Sequence, residues 1–188
     1  MSLMHILKYP DPFLKTKAEK VERVDDAVKT LIADMVETMY DANGIGLAAV
    51  QIGVGKRVVV LDVPDEAEEG AEAGPGERAK KRVKGKNLVA IVNPEILSSD
   101  GSVVFEEGCL SLPGETANVE RASNVRVAGL DKFGKRMEFG ATGLFGIALQ
   151  HEIDHLEGIL FIDRISRLKR EFIKRRLIKA AEARQKEL

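Results

Sequence analysis

The stretch LQHEIDHLEGI, residues 149–159, sets two of the chain's three histidines four positions apart with a glutamate beside the first. Residues i and i+4 share one face of an α-helix, so His151 and His155 can aim a ring nitrogen each at one cation, with Glu152 next to them. The longer segment LFGIALQHEIDHLEGILF is apolar enough to predict a buried helix over 143–157, which would fix the imidazoles and exclude water from most sides. A buried histidine pair with a buried acid is costly unless something compensates it, and a metal ion is the compensation that this spacing predicts.

The rest of the chain bounds what can hold that helix. Its 188 residues predict one domain over 1–188, with 44% hydrophobic and 31% charged residues and a net charge of −1, a composition of an ordinary globular protein rather than a nucleic-acid binder. One cysteine excludes an intrachain disulfide and fits a reducing compartment. No apolar run approaches the roughly 20 residues that span a bilayer, and MSLMHILKYP lacks the blocks of a signal peptide, so the expected location is the cytoplasm, away from membranes.

Helical periodicity runs over 25–43, with Asp25 as N-cap and Asn43-Gly44 as stop. Strands rich in β-branched residues are expected at 56–63 and 87–93, and shorter ones at 103–105, 125–130 and 136–139, the last two joined by a turn at 131–134. Between the first two, residues 64–86 read as a mobile surface insert, Glu-rich and then Lys/Arg-rich. A basic amphipathic helix is expected over 166–188, its apolar stripe being Leu168, Phe172, Ile173, Leu177 and Ala180. These expectations make the fold α+β, with mostly antiparallel strands around a central HExxH helix and helices toward both ends.

A catalytic site of this kind keeps three protein ligands and an open position, so the third ligand decides the class. The pattern HExxHxxGxxH fails, since Gly158 fits but Phe161 stands where the third histidine would be. A zinc endopeptidase would take a glutamate from a later helix, and Glu171 and Glu182 are available in the charged tail. The remaining candidate is Cys109 in FEEGCLSLPG, residues 105–114, the chain's one soft ligand; a thiolate with two imidazoles suits Fe(II), Zn(II), Co(II) or Ni(II). A buried thiol of no function, a nucleophilic Cys–His pair and a metal-stabilised binding module are the competing readings. A third stretch, GIGLAAVQIG at 44–53, mimics a dinucleotide fingerprint but follows a helix and precedes a strand, the reverse of that motif's order. It reads instead as a wall of accessible backbone in which Gln51 supplies an amide donor.

Taken in order, GIGLAAVQ (44–51), EGCLS (107–111) and QHEIDH (150–155) closely resemble the three signatures of peptide deformylase, the metalloenzyme that removes the N-formyl group from nascent polypeptides. The similarity runs from ILKYPD at 6–11 to about Leu168, although the 64–86 insert is longer than usual for the family. The resemblance implies that Cys109, His151 and His155 bind one divalent metal, typically Fe(II), with a water in the fourth position. It implies Glu152 as base and then acid, and the Gln51 amide with the Leu110 backbone N–H as donors to the developing oxyanion. Formylmethionyl peptides are the implied substrates. Ile45, Leu144, Ile147 and Ala148 are candidates for the methionine pocket, and Gly46 and Gly108 for pairing with an extended substrate backbone. The tail, with Lys169, Arg170, Lys174, Arg175, Arg176 and Lys179, resembles the C-terminal helix by which deformylases dock near the ribosomal exit tunnel; no specific nucleic-acid sequence is implied.

Overall fold

In the computed structural model, which describes residues 2–64 and 84–186, three α-helices and seven strands account for the main elements. Helix α1 spans Asp26–Asp41; the strands are β1 (Gly46–Ala48), β2 (Val58–Asp62), β3 (Leu88–Asp100), β4 (Val103–Gly108), β5 (Thr116–Arg121), β6 (Asn124–Leu130) and β7 (Arg136–Thr142). Helices α2 (Gly143–Leu156) and α3 (Arg167–Lys186) follow. One antiparallel sheet runs β1-β2-β3-β6-β7, and β4 and β5 form a separate hairpin. The α+β expectation holds. The insert expected at 64–86 falls mostly on residues outside the described ones.

Strand β2 shows why the helix of the opening motif is held so firmly. Its residues VVVLD are all buried, because the sheet is covered on both faces. Val58 and Val60 pack with Val28, Ile32, Met35 and Met39 of α1, while Val59 and Leu61 pack with Leu149, Ile153 and Leu156 of α2. Each fully buried aliphatic side chain contributes about 1.5–3 kcal/mol, so the sheet fixes both helices against itself. A third cluster joins Leu14, Leu112, Leu160, Phe161 and Ile162 to Ile173 and Leu177 of α3, placing the last helix against the loop after Cys109.

The helix ends follow local chemistry. The Asp25 side chain accepts from the Val28 N–H at 3.0 Å, as its N-cap position predicts. Asn43 adopts φ +55°, and the Gly44 N–H reaches back to the Met39 carbonyl, which stops α1 at the expected Asn-Gly pair. At the end of α2, Gly158 has φ +72° and lies so close to the N-terminal segment that a Cβ would stand 2.5 Å from the Lys15 carbonyl oxygen.

The stretch read as a backbone wall, 44–53, contributes edge strand β1 and then a single 3-10 turn over Ala49–Ile52. Two expectations need correction. Strand β5 was not expected, since TANVER carries one apolar anchor, Val119; its partner β4 supplies the ladder. On α3 only Ile173 and Leu177 of the expected stripe are buried, whereas Leu168 (69%) and Phe172 (55%) are exposed and Ala180 also faces solvent. The helix docks through a narrow seam, which leaves Leu168, Phe172, Arg175 and Lys179 at 4-3-4 spacing on an outward face. Among the described residues, no helix is long and apolar enough to cross a membrane.

Candidate metal centre and active site

Helix α2 is buried continuously from Gly146 to Leu156. Its two histidines lie one turn apart with ring centroids separated by 4.9 Å, and their Nε2 atoms approach to 3.2 Å. Cys109, in the turn leaving β4, brings its Sγ to 3.3 Å from His155 Nε2. The three ligand atoms all lie within 4.8 Å of one another, and among the described residues no other group of three His, Cys, Asp or Glu side chains converges in this way. A tetrahedral ion with metal–nitrogen bonds of about 2.0–2.1 Å requires nitrogens about 3.3 Å apart, so the observed spacing fits a cation between these donors. The His155 Nδ1 and Glu152 Oε2 atoms are buried with no partner among the described residues.

Electrostatics of the cluster point the same way. Burial lowers the affinity of His151 for a proton, but its contacts with Cys109 and Glu107 outweigh this and raise its pKa well above the ordinary histidine value. His155 goes the other way: burial and the adjacent His151 hold it well below, as a neutral ring. Cys109, Glu107 and Glu152 thus favour positive charge at His151, in a space bounded by three ligand atoms where a cation would serve in place of the proton.

Behind the ligands stands a buried network. His151 Nδ1 bonds Glu107 at 2.8 Å, which directs Nε2 toward the cluster. Arg121 of β5 grips Glu107 with two bonds of 2.6 and 2.8 Å and also reaches Asp154 of α2, whose carboxylate receives two further bonds from Arg164. Burial opposes ionisation of Glu107, yet the bonds from Arg121 and His151 hold its pKa at about 2. Sequence reading quoted Glu107 and Asp154 within the motifs but gave them no part, and it missed Arg121 and Arg164 altogether. Only the register of β4 against β5, which sets Glu107 opposite Ala117, brings Arg121 within reach.

Glu152 lines the same cleft as Cys109. Burial drives its pKa up to about 7, with His151 pulling it down and Glu107 adding to the rise. Its carboxylate fills the place of a missing side chain: a Cβ on Gly46 would stand 2.4 Å from Glu152 Oε1. Gly46 is therefore demanded by the acid itself, whatever else passes along β1. Gln51 turns its Oε1 to the Ala48 N–H at 2.8 Å and its Nε2 toward Ser111 Oγ at 3.2 Å and Cys109 Sγ at 3.5 Å. These groups open onto a cleft of about 780 Å³ whose lining includes Ile45, Gly46, Gln51, Gly108, Cys109, Leu110, Leu144, Ile147, Ala148, His151 and Glu152. Every site residue singled out from sequence thus lies in its wall except His155, which is 1% exposed and sits behind it. Lys8 and Phe105 also line the cleft without having been singled out. Glu171, which an endopeptidase reading would recruit, pairs with Arg170 and Lys174 on the surface of α3, and Glu182 is exposed.

A cysteine and two histidines converging beside a buried glutamate, at the foot of an open cleft, define the class of metal-dependent hydrolases. Residues 3–171 match the family model described as Polypeptide deformylase, and the chain belongs to that family. It is 48% identical over 176 residues to a peptide deformylase of Thermodesulfovibrio yellowstonii, covering 94% of this chain and 97% of that one. Among solved structures, a peptide deformylase from Legionella pneumophila superposes with a TM-score of 0.82 at 44% identity, covering 98% of each chain. One from Ehrlichia chaffeensis, solved in complex with actinonin, gives 0.82 at 39% identity over 96% of this chain and 98% of that one. The protein is accordingly a metal-dependent enzyme that removes the N-formyl group from nascent polypeptides.

The ion-pair network has a measurable consequence. Arg121→Met leaves Glu107 and Asp154 buried without their shared cation, and chemical denaturation should show a loss of about 3–5 kcal/mol. Because Glu107 ionises more readily folded than unfolded, its contribution is present above about pH 4.5 and fades as pH falls toward about 2. The deficit of the variant should therefore shrink over that interval; a deficit independent of pH would contradict the network's role.

Proposed function

We propose that Cys109, His151 and His155 hold one divalent cation, and that Glu152, Gln51 and Leu110 carry out the proton transfer and charge stabilisation of deformylation. The reading is supported above all by His155 Nε2, which lies 3.2 Å from His151 Nε2 and 3.3 Å from Cys109 Sγ, with all three atoms within 4.8 Å of one another beside a buried, unpartnered carboxylate oxygen. The donor set admits Fe(II), Zn(II), Ni(II) or Co(II), and of these we take Fe(II), the ion that the resemblance of the three motifs implies. When bound, the cation supplies Lewis acidity, acidifying a water and polarising the formyl oxygen.

The chain's own residues do the rest. Glu152, held near neutrality by burial, accepts the proton of the attacking water and returns it to the departing amine. Gln51 Nε2 and the Leu110 N–H donate to the formyl oxygen as charge grows on it. Ile45, Leu144, Ile147 and Ala148 give the methionine side chain an apolar seat, and the substrate backbone runs extended past Gly46 and Gly108. Formate and a free amino terminus leave. Residues 1–188 act as a single catalytic domain, working in the cytoplasm. The outward face of α3, with Leu168 and Phe172 beside Arg175 and Lys179, suits a partly apolar, anionic surface such as the ribosome near its exit tunnel.

Glu152→Gln keeps the ligands and removes the base: formate release from formyl-Met peptides should fall by at least about 100-fold while metal content stays at one per chain. Activity within a fewfold of the parent would refute the assignment. For the tail, truncation is the wrong probe, since it would strip Ile173 and Leu177 from the core. Reversing Arg175 and Lys179 to Glu should instead weaken co-sedimentation with ribosomes and leave turnover of short formyl peptides intact; unchanged co-sedimentation would remove the ribosome from the reading.

A further inference from the structure

The segment ILKYPD at 6–11 resembles the family, yet neither the ligands nor the acid accounts for it. Its position does. The Leu7 N–H donates to the Gln51 carbonyl at 2.7 Å, the Lys8 ammonium donates to the Leu110 carbonyl at 2.6 Å, and the Tyr9 N–H donates to the Ser111 carbonyl at 2.8 Å. Three consecutive residues thus tie together two turns that lie about 60 positions apart in sequence and meet beside Cys109. Gln51 Nε2 to Ser111 Oγ is the direct bridge between the same two turns, and the Leu112 N–H to the Cys109 carbonyl, at 3.0 Å, closes the second of them.

We propose that Lys8 is a positioning residue for deformylation, holding Leu110 by its carbonyl so that the backbone N–H of the same residue is aimed at the formyl oxygen. The proposal rests on the assignment of Gln51 and Leu110 as donors. Of the three ties from residues 7–9, that of Lys8 is the one made by a side chain and the one that carries charge, which makes it the strongest single restraint on the turn. Lys8 also lines the cleft, beside the Leu110 whose carbonyl it holds. Donors to an oxyanion act at 2.7–3.1 Å from the place where the charge develops, and a turn released from its anchor gives up that aim before it gives up its fold. Interactions of this kind strengthen as charge builds, so their loss is read in kcat more than in KM.

Lys8→Met and Lys8→Arg, loaded with Co(II), separate the possibilities when assayed on a formyl-Met peptide beside Gln51→Leu. Lys8→Met should lower kcat by about 10-fold with KM within about twofold, and Lys8→Arg, which keeps a charged donor, should recover most of the loss. Metal content and the visible absorption of the bound Co(II) should match the parent in both, which a collapse of the turn carrying Cys109 would not allow. An unchanged kcat, a loss confined to KM, or an equal loss in the arginine variant would each overturn the proposal. Gln51→Leu isolates the underlying reading: if it too leaves kcat intact, the donor assignment fails, whereas a fall there with an unaffected Lys8→Met condemns Lys8 alone.

Discussion

A buried helix carries, in its last two turns, two imidazoles and two carboxylates that are each less than a tenth exposed. Leaving such groups in the interior without partners would cost several kcal/mol each, comparable with the whole stability of a domain this size. The structure offsets that cost in two directions. Toward the cleft, the imidazoles face the thiol of Cys109 across a space that suits one cation. Away from it, Glu107, Arg121, Asp154 and Arg164 alternate in charge until the chain of bonds reaches solvent at Arg164. The sheet and its covering helices then serve to keep these two halves in register.

The same constraint shapes the cleft. Because Glu152 lies flush against β1, the strand must carry glycine at 46, and the edge of the sheet comes within reach of whatever enters. Because Cys109 leaves β4 directly, the hairpin that supplies the sulfur also supplies Glu107, two residues earlier, to orient one of the nitrogens. The candidate sulfur ligand, the acid that orients His151 and the candidate oxyanion donor all come from Glu107 to Leu110, so a small displacement of that hairpin would disturb all three at once. This explains why the N-terminal segment, the Gln51 turn and α3 all brace the loop that follows it.

Much of this could be read from the sequence. The i, i+4 histidines, the one cysteine and the order of three motifs were enough to gather Gln51, Cys109, His151 and Glu152 into one cleft, because helix periodicity and ligand chemistry are local properties. Strands β2 and β3 were legible from their β-branched runs. What escaped was set by tertiary pairing. The link between His151 and Glu107 spans 44 positions, β5 has too little apolar character to announce itself, and the glycine at 46 answers to an atom more than a hundred residues away. The tail misled for a related reason: its apolar residues offered two helical faces, and only the core surface presented by Leu14, Leu112 and Phe161 chooses Ile173 and Leu177.

X-ray absorption at the iron edge of protein prepared and loaded with Fe(II) without oxygen tests the arrangement most directly. The account predicts a first shell of one sulfur at about 2.3 Å with two imidazole nitrogens and at least one exchangeable oxygen donor. A shell lacking sulfur, or one closed by four protein ligands, would contradict it.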